Sequence, residues 1–214
     1  MRRPPKSLSP YEAVFGELLE GLHPRLMAYF TAIPLGSVGV GTGTFDVVGT
    51  PRRWLWPVLW VLGRQGVMFP AWQRDVPFTV LNHPVVDARG FVAVVATRTF
   101  HFAKGDRRMR DAITAEPAGL VDHLGIARRY GSELSGVIED GALRLSSTGL
   151  ALRMGDRRIR IPRMIAPIVT LLERFDDETD SQHVSVTIDL PLLGRLYEYS
   201  GSFLYEIRPG EKLL

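Results

Sequence analysis

The stretch FVAVVATRTFHF, residues 91–102, decides the fold because its residue types and their alternation are those of a β-strand. Successive side chains of a strand point to opposite faces, so the even-numbered residues share one face. That face consists of Val92, Val94, Ala96, Arg98, Phe100 and Phe102. Arg98 is the one charged residue on this apolar face, so the strand predicts both a sheet and an unusual interior.

Segments of the same kind lie on both sides of this strand. Further strands are predicted at residues 76–83, 107–116, 184–190 and 195–207. Turn sequences rich in glycine, aspartate and proline fall at residues 87–90, 104–106, 117–119, 140–141, 155–156 and 191–194. Eight or more strands in meander order with about three helices predict an α+β fold that is mainly antiparallel β. We expect a strongly curved meander sheet or barrel, with helices against one side or one mouth.

Two of the three helices have simple sequence signals. Ser9-Pro10-Tyr11-Glu12 combines an N-cap serine, a proline in the first turn and a capping-box glutamate. Apolar residues at helical spacing follow as far as Leu22, which predicts an N-terminal amphipathic helix. A short helix is predicted near residues 165–175.

The third predicted helix, residues 52–64, is rich in tryptophan and apolar nearly all round, with arginine at both ends. It is consistent with a helix that closes one end of the core or with an interfacial membrane helix. The first interpretation is favoured, because the polar face of an interfacial helix is missing. Trp56 and Trp60 would then belong to a lid over the interior, or to a mouth that faces a membrane.

Glycines 39, 41 and 43 lie within the alternation of a strand, not at a turn from strand to helix. They therefore do not form the glycine-rich loop of a dinucleotide site. A glycine stripe on one face of a strand instead lets a packed helix or a ligand approach closely.

Composition narrows the class of protein. The length of 214 residues favours one domain, expected over residues 9–214 after a flexible N-terminus at 1–8. The absence of cysteine excludes disulfides, thiol catalysis and cysteine-bearing zinc sites. No apolar run could span a bilayer and no hydrophobic segment follows the charged N-terminus, so we expect a cytoplasmic protein. A net charge of +3, with acidic residues dispersed among the arginines, argues against nucleic acid as a partner.

Polar residues on the apolar faces of predicted strands are the candidates for a functional site. Arg98 requires a carboxylate, a bound anion or a water-filled cavity beside it. The other candidates on such faces are Asp46, Asn82, Asp122, Tyr197 and Tyr199. Glu173, on the predicted short helix, points either inward to Arg98 or outward as a surface acid.

Two interpretations of these residues stay open. They form a buried ion pair with tyrosines bonded to the backbone, or they line an apolar cavity for a small molecule. The five histidines lack metal-ligand spacing, and no nucleophile or phosphate-loop motif occurs, so we expect neither a metal nor a cofactor.

Several segments, taken in order, resemble a bacterial family of domains of unknown function that often follow a saccharopine-dehydrogenase-like NAD(P)-binding domain. The segments are Ser9-Pro10-Tyr11-Glu12, the strand with Gly41 and Gly43, Asp75-Val76-Pro77, Thr97-Arg98-Thr99-Phe100, residues 161–167 with Glu173, and residues 190–201. They span about residues 9–207, and residues 190–201 are the most specific. The family has tryptophan two residues before the arginine, where Ala96 or Thr97 stands here.

The resemblance implies that Arg98, Glu173, Tyr199 and Gly201 are family features. It also implies that the chain is a complete domain, here without the nucleotide-binding domain that often precedes such domains. It implies no particular reaction.

The leading hypothesis is a small-molecule-binding protein whose apolar barrel cavity holds a hydrophobic or amphipathic ligand. Arg98 and Tyr199 would fix the polar end of that ligand. The alternative is a cofactor-independent cyclase, isomerase or hydratase of a specialised-metabolite pathway, with Arg98 acting together with Glu173 or Asp122. A third hypothesis is a domain that docks on a separate oxidoreductase.

Overall fold

The structure, a computed structural model, describes residues 8–86, 92–117, 119–155 and 157–210. The predicted turn at 87–90 lies outside the described residues, and so does nearly all of the predicted flexible N-terminus. The α-helices are α1 (Pro10–Phe15), α2 (Pro24–Phe30) and α3 (Trp56–Arg64), and short 3₁₀ segments cover Gly16–Gly21 and Arg53–Leu55. The strands are β1 (Ser37–Gly49), β2 (Trp72–Val86), β3 (Val92–Phe102), β4 (Gly105–Glu116), β5 (Gly119–Leu124), β6 (Tyr130–Glu139), β7 (Ala142–Met154), β8 (Arg157–Arg160), β9 (Ile168–Asp176), β10 (Ser181–Leu190) and β11 (Gly194–Pro209).

The strands form one antiparallel sheet that closes into a ten-strand barrel, which confirms the predicted fold class. β1 to β6 follow one another as a meander, and β11 returns to pair with β1. The β6–β7 pairing closes the circle, because the first half of β7 also pairs with β9. The second half of β7 pairs with the short strand β8, which lies beside the barrel.

The N-terminal helices pack against strands from both halves of the barrel. The predicted capping box is present: the Glu12 backbone N–H donates to Ser9 Oγ at 3.0 Å, and the Ser9 N–H donates to Glu12 Oε2 at 2.7 Å. Glu12 Oε2 also accepts from the Ala32 N–H at 2.9 Å, which ties the start of α1 to the end of α2. Gly16, with a φ of 52°, ends α1 earlier than predicted, and the chain continues as 3₁₀ helix.

Two hydrophobic clusters fill the barrel. The leucine cluster joins the N-terminal helices to the strands and includes Leu19, Leu22, Leu26, Leu120, Leu143 and Leu145. The aromatic cluster includes Phe45, Phe69, Phe78, Phe100, Tyr199 and Phe203, and Leu59 of α3 packs into it. The helix predicted over residues 52–64 therefore covers part of the core.

The short helix predicted near residues 165–175 is wrong, because most of these residues form the strand β9. Val169 and Leu171 pack on the aromatic cluster and Glu173 is buried, so alternate residues of β9 face the interior. A four-residue turn leads directly into β10. Alternation of this kind favours a strand, and the tight connection makes β9 and β10 an antiparallel hairpin.

The glycine stripe of β1 admits aromatic rings from the neighbouring strand. Gly41 pairs with Tyr205 and Gly43 with Phe203. A Cβ atom at Gly39 would overlap the Tyr205 ring, and one at Gly41 would meet Phe203. The close approach predicted for this stripe is thus made by side chains of β11.

No helix within the described ranges combines the length and the apolar character that crossing a bilayer requires.

A substitution at the β1–β11 pairing tests the register and close approach of these two strands. A Cβ at Gly201 would lie 2.2 Å from the Thr44 carbonyl oxygen and 2.5 Å from Phe45 Cα, whereas a Cβ at Gly131 would meet only the Ala151 oxygen at 4.0 Å. We expect Gly201→Ala to lower the free energy of unfolding by about 1–3 kcal/mol, because backbone atoms must shift. Gly131→Ala should change it by less than about 0.5 kcal/mol. Urea unfolding followed by tryptophan fluorescence measures both, and equal effects would contradict the assigned register.

Candidate functional site

A cavity of about 80 Å³ lies in the barrel between the aromatic and leucine clusters. Its wall is mainly apolar, with Val67, Met68, Met109, Ile113, Leu171 and Val186 among the lining residues. The polar lining residues are Arg98, Asp111, Asp122, Ser132 and Glu173, together with Tyr11, Tyr29, Tyr197 and Tyr199. An apolar wall with a few convergent polar groups is the usual make-up of a small-molecule site.

An ion pair between Arg98 on β3 and Asp111 on β4 lies at the centre of these polar lining residues. Arg98 pairs with Met109 in the sheet register, so Asp111, two residues further on, lies on the same inner face. The two side chains are only 14% and 4% exposed. Burial opposes the charge of Arg98, but Asp111, with smaller contributions from Tyr199, Tyr29 and Asp122, outweighs burial and holds the pKa of Arg98 above its ordinary value. Arg98 in turn opposes the burial that raises the pKa of Asp111.

Asp122 on β5 faces the same cavity, and no side chain in the described ranges forms an ion pair with it. Burial, reinforced by the negative charge of Asp111, raises the pKa of Asp122 well above its usual range, although Arg98 lowers it. Burial and the charge of Asp111 both favour the neutral form of the Asp122 carboxyl group. Among the described residues, neither Asp122 Oδ1 nor Oγ of Ser132, its partner on β6, has a hydrogen-bond partner.

Glu173 on β9 is 2% exposed, so it points inward, the first of the two orientations that the sequence left open. Burial raises its pKa to about 7, and both a hydrogen bond from Gln182 and the charge of Arg98 lower it. Gln182 Nε2 donates to Glu173 Oε2. Glu173 therefore exchanges its proton near neutral pH, and its direct partner is Gln182, whereas that of Arg98 is Asp111.

Four tyrosines complete the polar lining. Burial raises the pKa of Tyr199 to about 12, although Arg98 lowers it, and burial also raises the pKa of Tyr197. Tyr29 of α2 and Tyr11 of α1 reach the cavity from the N-terminal helices. All four hydroxyls are thus neutral hydrogen-bonding groups at neutral pH.

The structure brings five of the predicted site residues to one cavity: Arg98, Asp122, Glu173, Tyr197 and Tyr199. Asn82 is buried elsewhere in the barrel, where its Nδ2 donates to the Tyr205 hydroxyl at 3.4 Å. Trp56 packs on the aromatic cluster, and Trp60 is exposed on α3. Neither tryptophan lines the cavity.

The expectation that Asp46 faces the interior is wrong. The register between β1 and β11 shifts between Phe45 and Val47, which is a β-bulge, and Asp46 is exposed there. Asp46 shares the outer face of Val38 and Val40, because the odd-numbered residues of β1, as far as the buried Phe45, face the interior. The bulge then turns Val48 inward, so Val48 does not mark the face of Asp46.

Sequence analysis missed Asp111, Ser132 and Tyr29. A signal for Asp111 was present, since Met109, Asp111 and Ile113 alternate on one face directly across the hairpin from Arg98. Ser132 and Tyr29 carry no comparable signal, because their positions depend on the β5–β6 pairing and on the docking of α2.

Within the described part of the chain, no group of three or more His, Asp or Glu side chains is placed to hold a metal ion. A larger groove, of about 810 Å³ and open to solvent, lies between α2 and β11. Its charged side chains pair with each other or with neighbours, as Arg25 does with Asp180 at 2.9 Å. The interior cavity is therefore the stronger candidate for a site.

The fold and the cavity define a closed antiparallel β-barrel with a cluster of ionisable residues in its interior. Residues 22–203 match the family described as domain of unknown function DUF4166, and the chain belongs to that family. It is also 26% identical over 195 residues to the uncharacterized protein YndH of Bacillus subtilis (strain 168), covering 87% of this chain and 92% of YndH. No solved structure matches it. The association with saccharopine-dehydrogenase-like domains stays a prediction.

The titration of Glu173 predicts how stability depends on pH. Its pKa is about 7 in the folded protein and ordinary when unfolded, so the folded state binds the additional proton. The resulting stabilisation is complete below about pH 4.5 and is lost as the pH rises through 7. From pH 5 to pH 8, we expect the wild type to lose about 2–3 kcal/mol more unfolding free energy than Glu173→Gln, which mimics the protonated acid.

Urea unfolding at the two pH values measures this difference. The exposed Glu139→Gln is the matched control and should follow the wild type. Parallel profiles for wild type and Glu173→Gln would show that Glu173 keeps an ordinary pKa.

Proposed function

We propose that the barrel binds a small apolar or amphipathic molecule in its interior cavity, with the polar end of the molecule at Arg98, Asp122 and Glu173. The observation that carries the proposal is the pair of buried atoms, Asp122 Oδ1 and Ser132 Oγ, that have no partner among the described residues. Both residues line the cavity. A buried polar atom without a partner costs about 1–3 kcal/mol, and a ligand or water in the cavity would remove that cost.

A purely structural ion pair accounts for only part of the cluster. Asp111 already neutralises Arg98. The buried Glu173 and Asp122, whose Oδ1 is buried, remain as two further acids at an apolar cavity, and stability alone does not require them. The free-energy cost of placing these two acids in the interior is explained if they bind a ligand or take part in catalysis.

The charge balance favours a ligand whose polar end is uncharged or cationic. The cavity holds one guanidinium and three carboxyl groups, and the guanidinium already has an ionic partner. An anionic head group would meet no free positive charge there. A hydroxyl, carbonyl or amine group fits better, because the carboxyl groups of Asp122 and Glu173 can donate or accept hydrogen bonds.

The cavity must expand to admit a molecule larger than a few waters. Its volume of about 80 Å³ compares with roughly 30 Å³ for a water molecule in the liquid. Ligand pockets commonly measure about 300–1,000 Å³. Met68 and Met109 line the cavity, and unbranched methionine side chains adapt readily to a new occupant.

Occupancy can be tested by blocking the cavity. Val186 is buried and lines the cavity, whereas Val137 is 49% exposed on β6. We expect an organic extract of the purified wild-type protein to contain one enriched apolar compound, identified by mass spectrometry. Val186→Phe should lower its amount at least tenfold, because the benzyl group takes up the cavity, and Val137→Phe should leave it unchanged.

A heat-denatured sample of the same protein serves as the control for non-specific adsorption, and circular dichroism confirms that both variants are folded. An empty wild-type extract, or equal retention by the two variants, would count against a carrier.

A second candidate function is a cofactor-independent enzyme that uses the same cavity. The observation in its favour is that Glu173, whose pKa is raised to about 7, and Asp122, whose pKa is raised by burial, line the same cavity. A carboxyl group that titrates near neutral pH suits a general base, and one whose neutral form is favoured suits a general acid. In an isomerase, Glu173 would take a proton from a substrate carbon while Asp122 gives one to another atom, so no oxidant or reductant is needed.

The Glu173→Gln variant separates the two functions. Once the compound from the extract is known, an enzyme converts it at a rate that falls at least 100-fold in Glu173→Gln, while binding is retained. A carrier returns the compound unchanged from both proteins. Conversion by the variant at the wild-type rate would exclude Glu173 as the base.

A further inference from the structure

The outer face of α3 is apolar and exposed. Leu59 is buried in the aromatic cluster, but Trp54 in the preceding turn and Val58, Trp60 and Val61 on α3 are between 49% and 59% exposed. The outward face of a helix in a globular protein is normally polar. The sequence of this helix lacks a polar face, which favoured a core helix. In the structure, the face that the helix turns to the outside is apolar.

Every tryptophan of the chain belongs to this region. Trp54, Trp56 and Trp60 lie on α3 or in the turn before it, and Trp72, 44% exposed, begins β2. Trp56 also shares a groove with Trp72. Tryptophan is enriched where one end of a side chain is apolar and the other end is wet, as in membrane-interface belts.

The segment of the chain that carries this face has only positive charges. Residues 50–74 contain four arginines and no acidic residue. The Arg64 guanidinium carbon lies 3.7 Å from the centre of the Trp60 ring, and that of Arg53 lies 5.8 Å from the Trp56 ring. The cations thus lie directly beside the exposed rings, as they do in helices that bind anionic membranes.

The turn between β10 and β11 presents further apolar side chains beside the same region. Arg52 donates hydrogen bonds to the carbonyl oxygens of Leu193 at 2.7 Å and Arg195 at 2.8 Å. These bonds hold the β10–β11 turn beside the start of the helical region. Leu192 in that turn is fully exposed and Leu193 is 47% exposed.

A neighbouring groove of about 260 Å³ also combines aromatic rings with basic side chains. It lies between the start of β2 and the β3–β4 turn, and its lining includes Trp56, Trp72, Phe102, Lys104 and Arg107. None of its lining residues is acidic. Aromatic rings with two cations at their edge fit the glycerol and phosphate region of an anionic lipid.

We propose that α3, Trp54, Trp72 and the turn at 191–193, together named the tryptophan surface, dock on an anionic lipid bilayer. α3 lies in the plane of the interface, and the apolar side chains enter the boundary between head groups and acyl chains. Arg53, Arg64, Lys104 and Arg107 contact lipid phosphates. The inference does not depend on the ligand in the barrel.

Vesicle flotation tests the proposal, with tryptophan fluorescence as a second readout that reports only on this surface. The purified full chain is mixed with vesicles of phosphatidylcholine alone or with 30 mol% phosphatidylglycerol at low salt. We expect at least tenfold stronger partitioning onto the anionic vesicles and a blue shift of the emission. Raising the salt to 0.5 M should weaken binding several-fold, because surface charges are screened.

Two pairs of matched variants locate the contact. Trp54→Ser/Trp60→Ser should lose at least tenfold in partitioning, whereas Leu204→Ser/Val137→Ser, at similarly exposed apolar positions, should not. Arg53→Gln/Arg64→Gln should lose binding, whereas Arg144→Gln/Arg153→Gln, with the same charge change on exposed positions of β7, should keep it.

Failure of the wild type to float with anionic vesicles would overturn the proposal, and so would equal losses in test and control variants. A dimer that the tryptophan double variant dissociates, without vesicle binding by the wild type, would assign the surface to a second copy of the chain. None of these results bears on whether the cavity holds a ligand, which the extract measures separately.

Discussion

The closure of the sheet into a barrel shields interior polar side chains from water, and the properties of the polar cluster follow from that burial. β6 pairs with β7 and β1 pairs with β11, and the Asp111 and Glu173 side chains beside the cavity are almost completely buried. Burial is the largest influence on Asp122 and on Glu173, and it raises both pKa values. The same residues on the outer face would be ordinary surface acids.

Within this interior, the ion pair and the two remaining acids have different roles. Arg98 and Asp111 form an ion pair with each other. The charge of Arg98 lowers the pKa values of Asp122 and Glu173, and that of Asp111 raises the pKa of Asp122. Burial and then the charge of Asp111 raise the pKa of Asp122, whereas the hydrogen bond from Gln182 and the charge of Arg98 limit the rise that burial causes in the pKa of Glu173. A donor and a proton acceptor therefore face one apolar cavity. This pairing suits the recognition of an uncharged polar group, and it suits proton transfer as well.

The sequence predicted more of the barrel than of the site, and the reason lies in what alternation can reveal. Alternation placed Arg98, Asp122 and the two tyrosines of β11 on inner faces. It failed for Asp46, because Val38 and Val40 lie on the outer face of the barrel and the bulge turns only Val48 inward. Alternation also did not identify the ion-pair partner of Arg98, because the position of Asp111 beside it depends on the register of the β3–β4 hairpin. Exposure of the outer face of α3 was likewise hidden, since burial depends on which elements pack nearby.

The pairing of the first strand with the last has a consequence for folding. β1 begins at Ser37 and meets β11 at Pro209, so nearly the whole chain must be made before the barrel can close. Contacts between such distant parts of a chain form slowly, because a long loop must be ordered first. During synthesis the apolar faces of the meander and the tryptophan-rich segment lack their final cover. The nascent chain is therefore a strong candidate for chaperone binding, and truncation even within β11 should leave a species prone to aggregation.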